Sequence, residues 1–164
     1  MGRIKQVKNK FDFLGELNKR FPDNEKPILV GGAAVELYSR GIAKSVDLDL
    51  IADRTKIIPV LREMGFHQAG RHFYKGRIFV EIPGQVFEGR TQIILYKGQK
   101  IRISSVEDLI VDRSCACKYW KSQYDCEQAQ MLFRAYKPHL DMQYLSERAI
   151  KEKVEDLIKD MEKS

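Results

Sequence analysis

The sequence predicts an α+β protein: residues 1–103 form a mixed β-sheet flanked by helices, and residues 104–164 form a helical part packed on it, within one domain. Three observations carry this reading. A short apolar run meets a glycine pair and then a helix-forming stretch over residues 28–38; alternation of period two dominates residues 71–103; intervals of three and four take over from Ser105 onward. The chain has 164 residues, 43% of them hydrophobic and 32% charged, enough to bury a core without disulfides or metal and unlike a disordered or collagenous composition. No apolar run approaches the roughly 18 residues of a spanning helix, and no apolar segment follows the basic first ten residues, so a cytoplasmic location away from membranes is expected.

In residues 8–21, Phe11, Leu14, Leu17 and Phe21 form the stripe of an amphipathic helix, which Pro22, Asp23 and Asn24 end. Ile28, Leu29 and Val30 read as a short buried strand, Gly31 and Gly32 as a turn, and residues 33–38 as a helix. Residues 46–51 alternate apolar and acidic side chains, the mark of a second strand. Residues 56–64 read as a helix capped by Thr55 and closed by Gly65, which puts Pro59 in its first turn. Residues 71–74 and 77–82 around Lys75 and Gly76, then 92–96 and 100–103 around Lys97 and Gly98, suggest two hairpins joined by a loop over 83–90. Ser104 and Ser105 open a helix with Glu107 and Asp108 placed for capping, and with Val106, Leu109, Ile110, Cys117 and Trp120 on its buried face. A helix over about 124–136, stopped by Pro138, and another over about 142–162, with Leu145, Ala149, Val154, Leu157, Ile158 and Met161 as its stripe, complete the chain.

The net charge is +6, and it is unevenly spread: residues 1–103 carry 19 basic and 11 acidic side chains, residues 104–164 carry 10 and 12. Within 54–103, ten Lys or Arg face only Glu63, Glu81 and Glu88, so this part is expected to be either a positive surface for phosphates or a merely solvated face. Cys115, Cys117 and Cys126 make an odd count in one segment, which argues against a disulfide framework. Cys115 and Cys117 would point to different faces of a helix, and His67, His72 and His139 are scattered, so no zinc site is expected.

Asp47 and Asp49, two apart on a strand, send both carboxylates from one face while Val46, Leu48 and Leu50 take the other. Two carboxylates so close repel, and a hard divalent cation such as Mg²⁺ relieves the repulsion; plain alternation on a half-exposed strand explains the pair equally well. Gly31 and Gly32, between strand and helix, would let a phosphate reach free backbone N–H groups at the positive helix end. Glu81 interrupts an apolar strand and offers a third carboxylate from a neighbouring strand, or else an exposed position paired with a nearby base.

Val30-Gly31-Gly32, a helix, then Val46-Asp47-Leu48-Asp49-Leu50 resembles the signature of the DNA polymerase β nucleotidyltransferase superfamily. Phe79-Val80-Glu81-Ile82-Pro83-Gly84, with the helical segment from Ser105, is similar more narrowly to small prokaryotic nucleotidyltransferase-like proteins related to abortive-infection toxin enzymes, over residues 25–135. The resemblance implies a nucleotidyltransferase-like sheet, with Asp47, Asp49 and Glu81 as catalytic residues and ligands of Mg²⁺ or Mn²⁺. It implies nucleotide contacts from Gly31 and Gly32; Lys44 and Ser45, just before the acids, are placed either to touch phosphate as well or, the reading more usual for such residues, to lie in a solvated loop. The gap from Gly32 to Asp47 is wide for the superfamily and implies an extra turn, and Glu stands where Asp is more usual. The implied reaction moves a nucleoside monophosphate from an NTP to a hydroxyl on RNA, protein or a small molecule. A catalytically weak relative acting as an antitoxin-like or RNA-binding partner is the alternative. Asp108, Asp112 and Lys121 are candidates for lining the cleft, though helix capping and surface pairing explain them equally well, while Tyr119 and Trp120 read as core rather than as a base-stacking platform.

Overall fold

The structure, a computed structural model, describes residues 9–164; Lys8, with which the first expected helix begins, and the basic stretch before it lie outside them. Helix α1 (Lys10–Asn18) starts at Asn9, whose side chain accepts from the backbone N–H groups of Phe11 and Asp12 while Asp12 accepts in return from Asn9 N–H. Strand β1 (Ile28–Val30) leads directly into α2 (Gly31–Tyr38), so the two glycines form the first turn of the helix itself. β2 (Asp47–Ile51), α3 (Arg54–Glu63), β3 (His67–Ala69), β4 (His72–Lys75), β5 (Ile78–Gly84), β6 (Thr91–Tyr96) and β7 (Gln99–Ser104) follow. Helices α4 (Val106–Tyr119), α5 (Gln123–Tyr136), α6 (Met142–Lys151) and α7 (Glu155–Lys163) end the chain.

The seven strands form one mixed sheet in the order β3-β4-β5-β2-β1-β7-β6. Two pairings are parallel, β2 with β5 and β1 with β7; the rest are antiparallel. The period-two residues Leu29, Leu48, Leu50, Phe73, Val80, Ile82, Ile101 and Ile103 are almost fully buried, and they join α1, α3 and the C-terminal helices in one apolar cluster. The alternation in β2 therefore turns Asp47 and Asp49 away from this core.

The carboxylate of Asp108, buried at the start of α4, ties the helical part to the sheet. It accepts from Ser105 Oγ (2.6 Å), the backbone N–H of Arg90 (2.8 Å), Tyr144 Oη (2.7 Å) and Arg148 Nε (3.0 Å). Arg90 in turn lays its guanidinium 3.7 Å from the Tyr144 ring and pairs with Asp141 at 2.9 Å. The loop after β5 is thus anchored to α4 and α6.

Several expectations are corrected. Asp53, not Thr55, caps α3, accepting from both the N–H and the hydroxyl of Thr55, and Pro59 lies beyond the first turn. A short edge strand, β3, precedes the first hairpin. Trp120 is 82% exposed, and Tyr119 is exposed although its hydroxyl donates to the carbonyl of Glu152 at the end of α6. The last helix is two: Ala149 and Val154 are five residues apart, which one continuous helix would send to different faces, and a break with Lys153 at φ +63° buries both. Cys117 and Cys126 form a disulfide between α4 and α5 despite the odd count, leaving Cys115 as the free thiol.

Candidate active site

The parallel pairing of β2 with β5 sets Asp49 opposite Glu81 and Asp47 opposite Phe79. The hairpin register adds His72 opposite Glu81. The three expected acids therefore meet on the sheet face turned from the core, at the centre of the strand order. His72 joins them: its Nε2 lies 3.4 Å from Asp47 Oδ2 and 3.9 Å from Glu81 Oε2. The sequence leaves this histidine unassigned because the three histidines are scattered along the chain; the first hairpin turns one residue later than Lys75 and Gly76 suggest, with Lys75 paired to Ile78, and this register sets His72 opposite Glu81.

Burial, then the charges of Glu81 and Asp47, push the Asp49 carboxyl up to about 6, against an opposing pull from Arg113. Arg113 stands on α4, donating to Asp125 at 2.9 Å and to Asp112 at 2.6 Å. Gly31 has φ +70°, and a Cβ there would lie 2.7 Å from Asp49 Oδ2, so both its backbone angle and its neighbour require glycine. A Cβ at Gly32 would lie 3.3 Å from Ser45 Cβ. The glycine pair thus packs directly against the acid strand.

Ser45 is held by Glu36, which accepts from its backbone N–H (2.9 Å) and its hydroxyl (3.0 Å), while Lys10 Nζ bridges Glu36 and the Ser45 carbonyl. Lys44 is exposed; its ammonium lies beside Gly41, and its carbonyl accepts from Tyr124 Oη at 3.3 Å. Next to Gly31 opens a cleft of about 410 Å³, walled by Asp108, Asp112, Cys115 and Arg148 among others. Burial, with the charges of Glu152 and Asp112, pushes the Cys115 thiol up to about 11, which makes it a poor nucleophile and metal ligand. A larger cavity, about 790 Å³, begins at Ser45 and runs between α1, α2 and β6 without reaching the acids.

Among the described residues no three His, Cys, Asp or Glu side chains already close on one point as a metal cage. The chemistry nevertheless suits Mg²⁺, which is usually held by one or two carboxylates together with substrate phosphates rather than by an all-protein cage. The raised Asp49 carboxyl marks a surplus of negative charge that such a cation would offset. The residues fit the group.

The basic surface expected over 54–103 is largely spent within the molecule. Lys56, Arg90, Lys97 and Lys100 pair with acids, Arg54, Lys75 and Arg102 donate to backbone carbonyls, and Arg62 meets Gln68. Arg71 and Arg77 are exposed, with no hydrogen bond or ion pair among the described residues. No helix among the described residues is long and apolar enough to cross a membrane.

Solved structures of similar shape include an antigenic nucleotidyltransferase-like protein from Paracoccidioides brasiliensis (TM-score 0.58, 17% identity, 92% of this chain and 90% of that one). Also similar is ANT(2")-Ia in complex with adenylyl-2"-tobramycin (TM-score 0.56, 14% identity, 86% and 92%). The solution structure of the same antibiotic-resistance factor matches with a TM-score of 0.55, 12% identity and coverage of 93% and 97%. At these identities the likeness is one of fold, and the fold is nucleotidyltransferase-like. No protein with a curated description matches the chain. The family model described as "nucleotidyltransferase of unknown function (DUF6036)" matches residues 4–163, nearly the whole chain, and the protein belongs to that family.

Proposed function

We propose that the protein is a metal-dependent nucleotidyltransferase that moves a nucleoside monophosphate from an NTP to an acceptor hydroxyl. The observation that carries this reading is the meeting of Asp47, Asp49 and Glu81 on one sheet face, with Asp49 against the Gly31 turn that begins α2.

Asp47, Asp49 and Glu81 would hold a divalent cation, Mg²⁺ or Mn²⁺, which when bound lowers the pKa of an attacking hydroxyl and neutralises charge on the triphosphate. Gly31 and Gly32 leave backbone N–H groups at the start of α2 open to phosphate oxygens, a role the positive end of a helix suits. The adjoining cleft is the place for the rest of the nucleotide, with Arg148 on its wall. The acceptor oxygen attacks the α-phosphorus, a new P–O ester bond forms, and the bond to the bridging oxygen breaks to release pyrophosphate. Glu81, which stands on β5 opposite His72, takes the hydroxyl proton. Ser45 and Lys44 are assigned to the triphosphate tail, Ser45 through a hydroxyl that Glu36 orients.

The test is to incubate the protein with each α-labelled NTP, Mg²⁺ or Mn²⁺, and separate pools of RNA, protein and small hydroxyl compounds. Label should appear in one pool and vanish with Asp49→Asn. Absence of transfer from every NTP, together with no calorimetric binding of any NTP, would return the protein to the role of a binding module.

A further inference from the structure

We propose that the open face of β3, β4 and β5 beside the acids is a stacking platform for a single-stranded polynucleotide that presents a hydroxyl to the site, an inference that rests on the nucleotidyl-transfer reading above. Register carries it. Asp47 faces Phe79, Phe79 faces Tyr74, and Tyr74 faces His67, so three rings stand in one row across three strands and the row ends at an active-site acid. Ring centroids are 6.4 Å apart for Tyr74 and Phe79 and 5.6 Å apart for His67 and Tyr74. A parallel row two residues along the strands holds Asp49, Glu81 and His72.

The core does not explain these rings. Phe73 and Val80, on the opposite face of the same two strands, are the buried pair, whereas Tyr74 and His67 are exposed and Phe79 is only partly covered. With strands about 4.8 Å apart, the row from Asp47 to His67 spans roughly 14 Å, room for two or three bases in succession. Arg71, just before β4, has no partner among the described residues; Arg77, in the turn after β4, borders instead the cavities lined by Phe13, Met64, Val46 and Ile78. Exposed rings beside the unpaired guanidinium of Arg71 suit a ligand with both π faces and negative charge; a polycationic acceptor would meet repulsion there.

A fluorescent single-stranded oligoribonucleotide with a free 3′ hydroxyl, titrated by anisotropy across a salt series, tests the platform. Tyr74→Leu keeps apolar bulk but removes the ring and should weaken binding roughly ten- to hundredfold, while Tyr74→Phe should bind as the parent does. Arg71→Gln should reduce the slope of log affinity against log salt by about 0.7, the value for one phosphate contact on a single strand. Trp120→Ala, an exposed ring remote in sequence from the row, should change nothing. Failure of the parent to bind the oligonucleotide at low salt would overturn the platform, as would a Tyr74→Leu variant that binds like the parent. Parent protein that binds NTP but no oligonucleotide loses the platform alone. Parent protein that binds oligonucleotide through Tyr74 but no NTP keeps the platform and loses the transfer reading.

Discussion

Asp49 carries the charge imbalance of the site in its own titration. Its carboxyl is raised from the ordinary 3.8 to about 6, by burial first and by Glu81 and Asp47 next. Between those two values the folded protein holds a proton that the unfolded chain has lost, so stability falls as pH rises through this window, and the penalty persists above it. A shift of that size corresponds to ~3 kcal/mol at most; residual solvent contact reduces it to about 1–2 kcal/mol. Asp49→Asn should therefore stabilise the metal-free protein by about 1–2 kcal/mol at pH 7 and by nothing at pH 3, as measured by urea unfolding, while abolishing transfer. An equal effect at both pH values would disprove the charge origin. Gly31→Ala places a Cβ against Asp49 at a positive φ, and a loss of about 1–3 kcal/mol in the same melts is expected. Asp47, Asp49 and Glu81 were legible in the sequence because a period of two puts alternate residues on one face, and acids among apolar neighbours stand out. His72 was not, since it stands apart from the acids in sequence and only the pairing of β4 with β5 brings it beside Glu81.

At the scale of elements, the glycine turn, both hairpins and the starts of α4 and α5 follow from local chemistry: Ser105 and Ser122 cap as serines do, and Lys97 and Gly98, both at positive φ, make the tight turn of the second hairpin. The break between α6 and α7 was hidden because no glycine or proline marks it. Lys153 bears a left-handed backbone there at a cost that glycine would avoid, so Lys153→Gly should raise stability by ~0.5–1 kcal/mol and Lys153→Val lower it, read by thermal unfolding. The disulfide was equally hidden, since sequence cannot say that positions nine apart on two helices approach within 4.7 Å at Cα. Its short loop predicts a contribution of about 2–3 kcal/mol, which Cys117→Ser should remove under oxidising conditions and leave unchanged in excess dithiol. Tyr119 and Trp120 read as core because aromatic residues in a helix usually are, whereas Tyr119 donates its hydroxyl to the Glu152 carbonyl at the surface and Trp120, the C-cap of α4, is left exposed.

For the whole molecule, Asp108 is the point where sheet, loop and helical part are fastened together. Asp108→Ala leaves Arg148 without its carboxylate and takes an acceptor from the Tyr144 and Ser105 hydroxyls and the Arg90 N–H, which should cost about 3–5 kcal/mol and speed amide hydrogen exchange over residues 85–90 and α6 well before the sheet. Exchange that quickens only at global unfolding would show the two parts to be one cooperative unit without this fastening. The strand order carries a consequence of another kind. β1, which hands the chain to the glycine turn, is flanked by β2 on one side and by β7 on the other, and Leu29 pairs with Ile103 across more than seventy intervening residues. During synthesis the acids on β2 can meet Glu81 once β5 has emerged, yet β1 keeps an open edge until β7 arrives, and such distant pairing is slow to form. A nascent chain stalled before Gln99 would therefore present an unpaired apolar strand beside an almost complete acid site, open to pairing with another chain at the very place where the finished protein is best protected.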